Sequence, residues 1–476
     1  MNKQLAFRIL VLAIFILLIV PMLIQDGMFM DGLIYASVAH NLANGLGDFW
    51  ALTFSETYLK NYSEQLPLFF GIQALFFKVF GSSLYVERIF LLTMACLTAF
   101  NIIKTWKLIY SNSIEKRRLE WLPVLLWILI PICFWSYVNN VQETLMAVFA
   151  TASVYFAFKA LILKRNVLLY LTVSGVFVFC CSFCKGFQGL FPIVTVAIYW
   201  IITREISVKQ MIWYSFVLIA VPALIYIVLL LNESSFQAIS ENFNNRVLRT
   251  FNKPSSSTTD NRFYLMYRLF TEHIPSILVV ILIYTISYFK HIKVNTKGQF
   301  KLAAVFFLIG IAGSLPLIVT SEQRGFYLVT SLPFFALCLS ILAAPYLSPL
   351  TQTIKSTSRG FKALLFGSIG LLFTAIILSG LQFGKTKRDH NALHDVYLIG
   401  ETIPKGSTLN ITPKLRQDYS LVAYFVRYYN INLDLKQSSQ NPYYLKKKDL
   451  ADEAPSTYQK MNLDLKEYDL YEKVRK

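Results

Sequence analysis

The carboxylates Asp26, Asp31, Glu56, Glu64 and Glu143 all lie at the ends of apolar runs or in the loop beside them. Carboxylates take up and hold protons, and two that face one cleft shift each other's pKa values. Inside the apolar runs, where a transporter places its ionisable groups, there are almost none. Chemistry therefore belongs at a membrane surface. The six cysteines (Cys96, Cys133, Cys180, Cys181, Cys184 and Cys338) fall within or beside apolar runs, without zinc-finger spacing or a secreted disulfide framework, and read as small core residues.

The elements that must position those carboxylates follow from composition. The 476 residues are 55% hydrophobic and 15% charged, more apolar than one water-soluble core of this length could hide. The net charge of +18 comes from Lys and Arg in short clusters between apolar runs, a topology signal that argues against nucleic acid as a partner. Stretches long enough to cross the hydrocarbon, roughly 17–25 residues, lie near 7–24, 84–103, 120–138, 143–163, 167–183, 188–203, 211–231, 274–289, 300–319, 325–345 and 361–382. The first follows a weakly basic start but has no small-x-small cleavage site, so it reads as a retained helix. The connections at 104–118, 159–165, 204–209, 290–301 and 355–362 carry most of the inter-span positive charge on the side of Met1, which is therefore expected to be cytosolic.

The expected fold is an all-α polytopic membrane protein of about eleven transmembrane helices in the inner (cytoplasmic) membrane, with a small α/β soluble C-terminal domain. A transmembrane domain is expected over 1–383, with outer loops at 25–83 and 232–273, and an extracytoplasmic soluble domain over 384–476. Within the second loop, 255–259 (SSSTT) is a low-complexity stretch expected to be mobile. In the first loop, 31–44 and 67–80 (PLFFGIQALFFKVF) read as helices lying in the interface. Together they would form a hydrophobic shelf beside a polar cleft, suited to a long-chain lipid whose reactive head meets a second substrate arriving from water. Strand alternation at 407–412 and a helical pattern at 420–429 mark the tail as α/β.

An Asp just after the first span (Asp31), a Tyr four residues on (Tyr35), then Glu-x-x-Pro-Leu from Glu64 and then Arg88, is a recurring layout. It resembles the C-type (GT-C), polyprenyl-phosphate-sugar-dependent glycosyltransferases, which include protein O-mannosyltransferases and the aminoarabinose transferase of lipid A. The likeness spans roughly residues 5–345. It implies inverting transfer of a sugar from a polyprenyl-phosphate donor to a lipid, glycan or protein acceptor at the outer face of the membrane. Asp31 in MFMDGLIYA matches the family's catalytic acid position, a general base toward the acceptor. Glu143 matches a second acidic position that would support Asp31 or place the acceptor. Tyr35, Arg88, Lys185, Arg324 and Tyr327 match aromatic and basic positions that bind the donor phosphate or lipid, where cations stabilise the departing polyprenyl phosphate. Glu64 resembles a loop carboxylate that ligates a divalent metal in some members. Gly32, Ile34 and Gln65 depart from the family's acidic, Arg and Lys or His residues, and the stretch TTDNRFYLMY lacks the late-loop His of some relatives, with His273 lying further on.

Without that resemblance the same residues have plainer readings. Asp31 is a helix-start carboxylate and Glu143 an acid complementing a helix dipole. Arg88, Lys185 and Arg324 are snorkelling cations, Glu56 and Glu64 solvated loop acids, and Tyr35 and Tyr327 aromatic-belt residues. Two rivals to the transferase remain at this level: a lipid or polysaccharide transporter, and a non-catalytic scaffold whose tail binds a partner.

Overall fold

A computed structural model describes residues 3–248, 261–294, 296–320, 322–436, 438, 440–450 and 454–474. The stretch 255–259 lies outside them. The chain forms two compact units, one of residues 1–22, 91–138 and 142–382, the other of residues 23–90, 139–141 and 383–476.

The first unit is built of helices because a backbone in hydrocarbon must satisfy every N–H and C=O within its own segment. Among the described residues eight helices are long and apolar enough to cross a membrane: Gln4–Ile24, Val86–Ile109, Glu143–Leu163, Val167–Lys185, Val208–Leu230, Gln299–Val319, Leu332–Thr353 and Arg359–Gly380. Tyr264–Glu272 and Ile274–Phe289 form a ninth if counted as one span bent by 43°. Two of the eleven expected stretches have no counterpart among these nine. The one at 120–138 divides into Trp121–Ile128 and Pro131–Ser136, because Pro131 has no N–H to donate and holds the preceding Ile130 in extended backbone. The one at 188–203 starts as a 3-10 helix, Phe187–Val194, before Thr195–Thr203 continues as α-helix. A Cβ at Gly189 would stand 2.3 Å from the Cys181 carbonyl, so only glycine lets this segment return against the end of the preceding helix. Polar side chains join neighbouring helices, as where Ser153 Oγ meets Ser174 Oγ at 3.0 Å and Asn101 Nδ2 donates to the Val148 carbonyl at 3.1 Å. On Val208–Leu230, Trp213 and Phe216 are more than half exposed, an arrangement suited to a lipid surrounding.

In the second unit, Met30–Ala43 packs on Leu68–Phe80. The latter's 13 residues reach about 20 Å, short of the roughly 30 Å hydrocarbon core. One of its faces buries Phe69, Phe70 and Phe77, while Leu75, Val79 and Phe80 on the other stay exposed. The tail carries the expected small sheet, β1 (Thr408–Ile411), β2 (Asn432–Asp434), β3 (Tyr443–Lys447), β4 (Tyr458–Lys460) and β5 (Tyr468–Lys473), in the order β2-β1-β3-β5-β4. The β2-β1-β3 part is parallel and the β3-β5-β4 part antiparallel. Helix Tyr419–Tyr429 crosses over between β1 and β2 and packs on Met30–Ala43. Asp395, on helix His390–Thr402, accepts the N–H groups of Lys466, Glu467 and Tyr468 at 2.6, 2.7 and 3.0 Å and ties that helix to β5.

Candidate functional site

In the first unit three of the expected residues come together. Glu143 opens helix Glu143–Leu163, where the unsatisfied N–H groups favour an anion. Lys185 closes helix Val167–Lys185, where the carbonyl end favours a cation, and Gly186 stops that helix with φ 83°. Lys185 Nζ donates to Glu143 Oε1, and both side chains are largely excluded from water. The ammonium also stands 4.1 Å from the Tyr327 ring centroid and 5.5 Å from that of Phe326, a cation held on two aromatic faces. Gln188 Nε2 donates to the Tyr327 carbonyl at 2.7 Å and Trp135 stacks on Phe326 at 5.9 Å, so the aromatic pair is itself held.

Polar atoms beside this pair lack protein partners. Glu143 Oε2, both ends of the Gln142 amide and Thr330 Oγ1 are buried without a hydrogen bond. Each such group costs about 1–3 kcal/mol unless water or a ligand satisfies it. Arg324 is exposed, just before the 3-10 helix Gly325–Thr330 that carries Phe326 and Tyr327. Arg268 lies against this turn, its Nε 3.7 Å from where a Cβ on Gly325 would stand, and pairs with Glu272 at 2.5 Å. Glu272 in turn accepts the Ile132 N–H at 2.7 Å. Sequence reasoning missed Gln142 and Arg268, the second of which lies in the stretch 232–273 expected as an outer loop.

In the second unit, Asp31 sits partly exposed in the first turn of Met30–Ala43, with no side-chain cap at Phe29. The helix is fixed closely. A Cβ on Gly32 would stand 2.1 Å from the Asn139 carbonyl, the Asn140 amide donates to the Gly32 carbonyl at 2.9 Å, and Gln73 donates to Asn140 Oδ1 at 2.7 Å. Gly32 is thus dictated by contact with residues 139–140. Tyr35 is buried edge-on against Phe69 and Phe70, at 5.9 and 5.8 Å. Glu64 is exposed.

Arg88 is buried and its guanidinium is taken up by protein groups: the Leu84 carbonyl at 2.6 Å, the Gln25 carbonyl at 3.2 Å, Glu87 at 3.3 Å and Asp26 at 3.6 Å. Around Asp26 the tail supplies two phenols, Tyr397 and Tyr428, the latter donating at 2.8 Å, while the Gly27 N–H donates at 2.6 Å. Burial, and then the negative charge of Asp26, pushes both phenols well above their ordinary range. Burial and the nearby Arg88 and Arg388 lower Lys387 to about 7. Asp26 was legible as an end-of-span acid; its tail partners were not, since nothing in their spacing points to it.

Among the described residues no group of three or more His, Cys, Asp or Glu could hold a metal ion, and Glu64 belongs to no such cluster.

No family model and no curated protein matches the chain. Solved structures do. ArnT from Cupriavidus metallidurans bound to undecaprenyl phosphate aligns over 97% of this chain and 97% of its own, with a TM-score of 0.64 at 12% identity. The same protein in its apo state aligns over 97% and 95%, with a TM-score of 0.62 at 12% identity. The archaeal oligosaccharyltransferase AglB from Archaeoglobus fulgidus, in complex with an inhibitory peptide and a dolichol-phosphate, covers 94% of this chain and 70% of its own, with a TM-score of 0.48 at 12% identity. Over nearly its whole length this chain has the fold of ArnT.

Proposed function

We propose that this chain is an inverting membrane glycosyltransferase that moves a sugar from a polyprenyl-phosphate donor to a lipid, glycan or protein acceptor at the outer face of the inner membrane. The observation that carries this reading is the buried pair of Glu143 and Lys185 under Tyr327, with the second Glu143 oxygen and the amide of the adjacent Gln142 buried without partners. A solvent-excluded cation meeting unsatisfied donors and acceptors suits a phosphate with a hydroxyl-rich group attached. The shared fold supports it, because ArnT has been solved with undecaprenyl phosphate bound.

In this mechanism Asp31 accepts the proton of the acceptor's attacking group as that group bonds to the anomeric carbon. The bond from that carbon to the phosphate oxygen breaks on the opposite face, and its electron pair leaves with the polyprenyl phosphate. Lys185 stabilises that anion, and Glu143 holds Lys185 in place. Arg324 and Arg268 add positive charge near the Tyr327 turn. The exposed apolar face of Leu68–Phe80, with Leu75, Val79 and Phe80, suits a helix in the interface against lipid chains. Eleven crossings, a cytosolic N-terminus and an extracytoplasmic tail follow if the broken helices at 121–136 and 187–203 also span. The distribution of Lys and Arg supports that orientation.

The test is release of free polyprenyl phosphate from a panel of labelled polyprenyl-phosphate sugars by purified protein with candidate acceptors. Release that requires an acceptor and is lost in Asp31→Asn establishes the transferase. Donor movement across vesicles without cleavage would replace it with a transporter.

A further inference from the structure

A second group of ionisable residues lies in the first unit, away from every residue used above. Arg8 in the first helix, Lys107 near the end of Val86–Ile109, and Arg117 and Arg118 at the short turn of helix Ile114–Arg117 line an open cleft of about 250 Å³ with Ile114 and Glu120. Four cations meet one carboxylate. Glu120 is buried, and its Oε1 pairs with Arg8 at 2.5 Å and stands 3.8 Å from Lys107, so it draws two half-exposed cations to one wall of the cleft. Its other oxygen, Oε2, is buried without a hydrogen bond. The stack of Phe7 on Trp121, 4.7 Å apart, and the bond from Trp121 Nε1 to Gln4 Oε1 at 2.8 Å hold the first helix beside Glu120. Arg117, Arg118 and Ile114 are exposed at the rim.

We propose that this cleft binds the headgroup of an anionic phospholipid in the leaflet on the Met1 side. Arg8 starts one apolar span and Lys107 ends another, so the cleft stands at the level where lipid headgroups lie. Three positive charges remain after Glu120 is counted, which suits a phosphodiester, and the exposed Ile114 offers an apolar rim to the acyl region. Glu120 Oε2 lacks a donor, and a headgroup hydroxyl such as that of phosphatidylglycerol supplies one. A free phosphate shares the charge and can donate a hydroxyl of its own, but it has no apolar part, so the exposed Ile114 rim favours the lipid.

Native mass spectrometry of the full chain with equimolar dioleoyl phosphatidylglycerol and dioleoyl phosphatidylcholine tests this. Each cation near an anionic headgroup is worth about fivefold in binding, so Arg117 and Arg118 together are expected to retain phosphatidylglycerol over phosphatidylcholine by about 25-fold or more. The preference is expected to shrink about fivefold in R117Q and further in R117Q/R118Q, exposed positions whose replacement leaves the packing alone, as an unchanged melting temperature would verify. Millimolar inorganic phosphate is expected to leave the bound lipid in place. Equal retention of the two lipids, a preference that survives R117Q/R118Q, or displacement by phosphate would each overturn the proposal, the last by giving the cleft to a free anion.

Discussion

Arg427 in the tail and Glu87 in the first turn of Val86–Ile109 form an ion pair at 2.7 Å with both side chains almost wholly excluded from solvent. The guanidinium also donates to the Ser82 and Ser83 carbonyls at 3.0 and 2.8 Å and lies 4.7 Å from the Phe77 ring centroid. Two charges out of water persist only when the surrounding bonds are nearly complete. This pair therefore makes the first loop and the tail one structure, as do the Asp26 phenols and the bond from the Met28 N–H to Tyr424 Oη at 3.3 Å.

Replacing Arg427 with Met leaves Glu87 with Arg88 as its remaining partner. The expected cost is about 3 kcal/mol, at the low end for breaking a buried pair because Arg88 stays within 3.3 Å. Chemical denaturation should show it, and E87Q/R427M should recover part of the loss. A denaturation midpoint equal to wild type would mean that the pair does not hold the loop to the tail.

Asp31→Asn removes the proposed proton acceptor and keeps the shape of the side chain. Transfer is expected to fall by about 10²–10⁴-fold, with donor binding unchanged. Turnover at the wild-type rate would sink the assignment of Asp31 as base.

Lys185→Met leaves the Glu143 carboxylate buried without its cation, so both stability and turnover should fall. The double variant K185M/E143Q separates the two effects: melting temperature is expected to recover while kcat/KM stays at least about tenfold below wild type, about 1.4 kcal/mol of transition-state stabilisation. Recovery of both together would mean that the pair only supports the fold.

His40 is held by burial, and secondarily by the positive Arg427, at a pKa of about 4 against an ordinary 6.5. Its ring packs edge-on against Phe77 at 5.3 Å. A base whose folded pKa is lowered is protonated more readily when unfolded. Its neutral form thus supports folding fully above pH 6.5, and that support is lost as the pH falls from 6.5 toward 4. The loss should reach about 3 kcal/mol. Stability curves measured between pH 7 and 4 for wild type and His40→Gln should converge toward the acid end; curves that stay parallel would remove His40 as the source.

The apolar runs were legible because lipid leaves a backbone few choices: each of the eleven stretches is built largely of helix, and the helices near 31–44 and 67–80, the strand near 408 and the helix near 420 stand where periodicity puts them. The break at Ile130 and Pro131 shows the limit of that reading, since a hydropathy window averages over a proline that the backbone cannot ignore. Glu143, Lys185 and Tyr327, singled out by residue type, stand together, and the helix ends that carry Glu143 and Lys185 suit their charges. Arg88 and Tyr35 were legible only as residue types: one is consumed by carbonyls and carboxylates, the other is packed among phenylalanines.

By itself the sequence determined the medium, the helical segments and the classes of residue at their ends, because burial in hydrocarbon acts on composition over tens of neighbouring residues. Which of those residues meet was decided by tertiary structure alone. Lys185 reaches Glu143 across 42 positions and Arg427 reaches Glu87 across 340, and contacts so distant leave no periodic trace in the chain. Only folding, which removes water from both partners at once, makes one residue's charge depend on another's position.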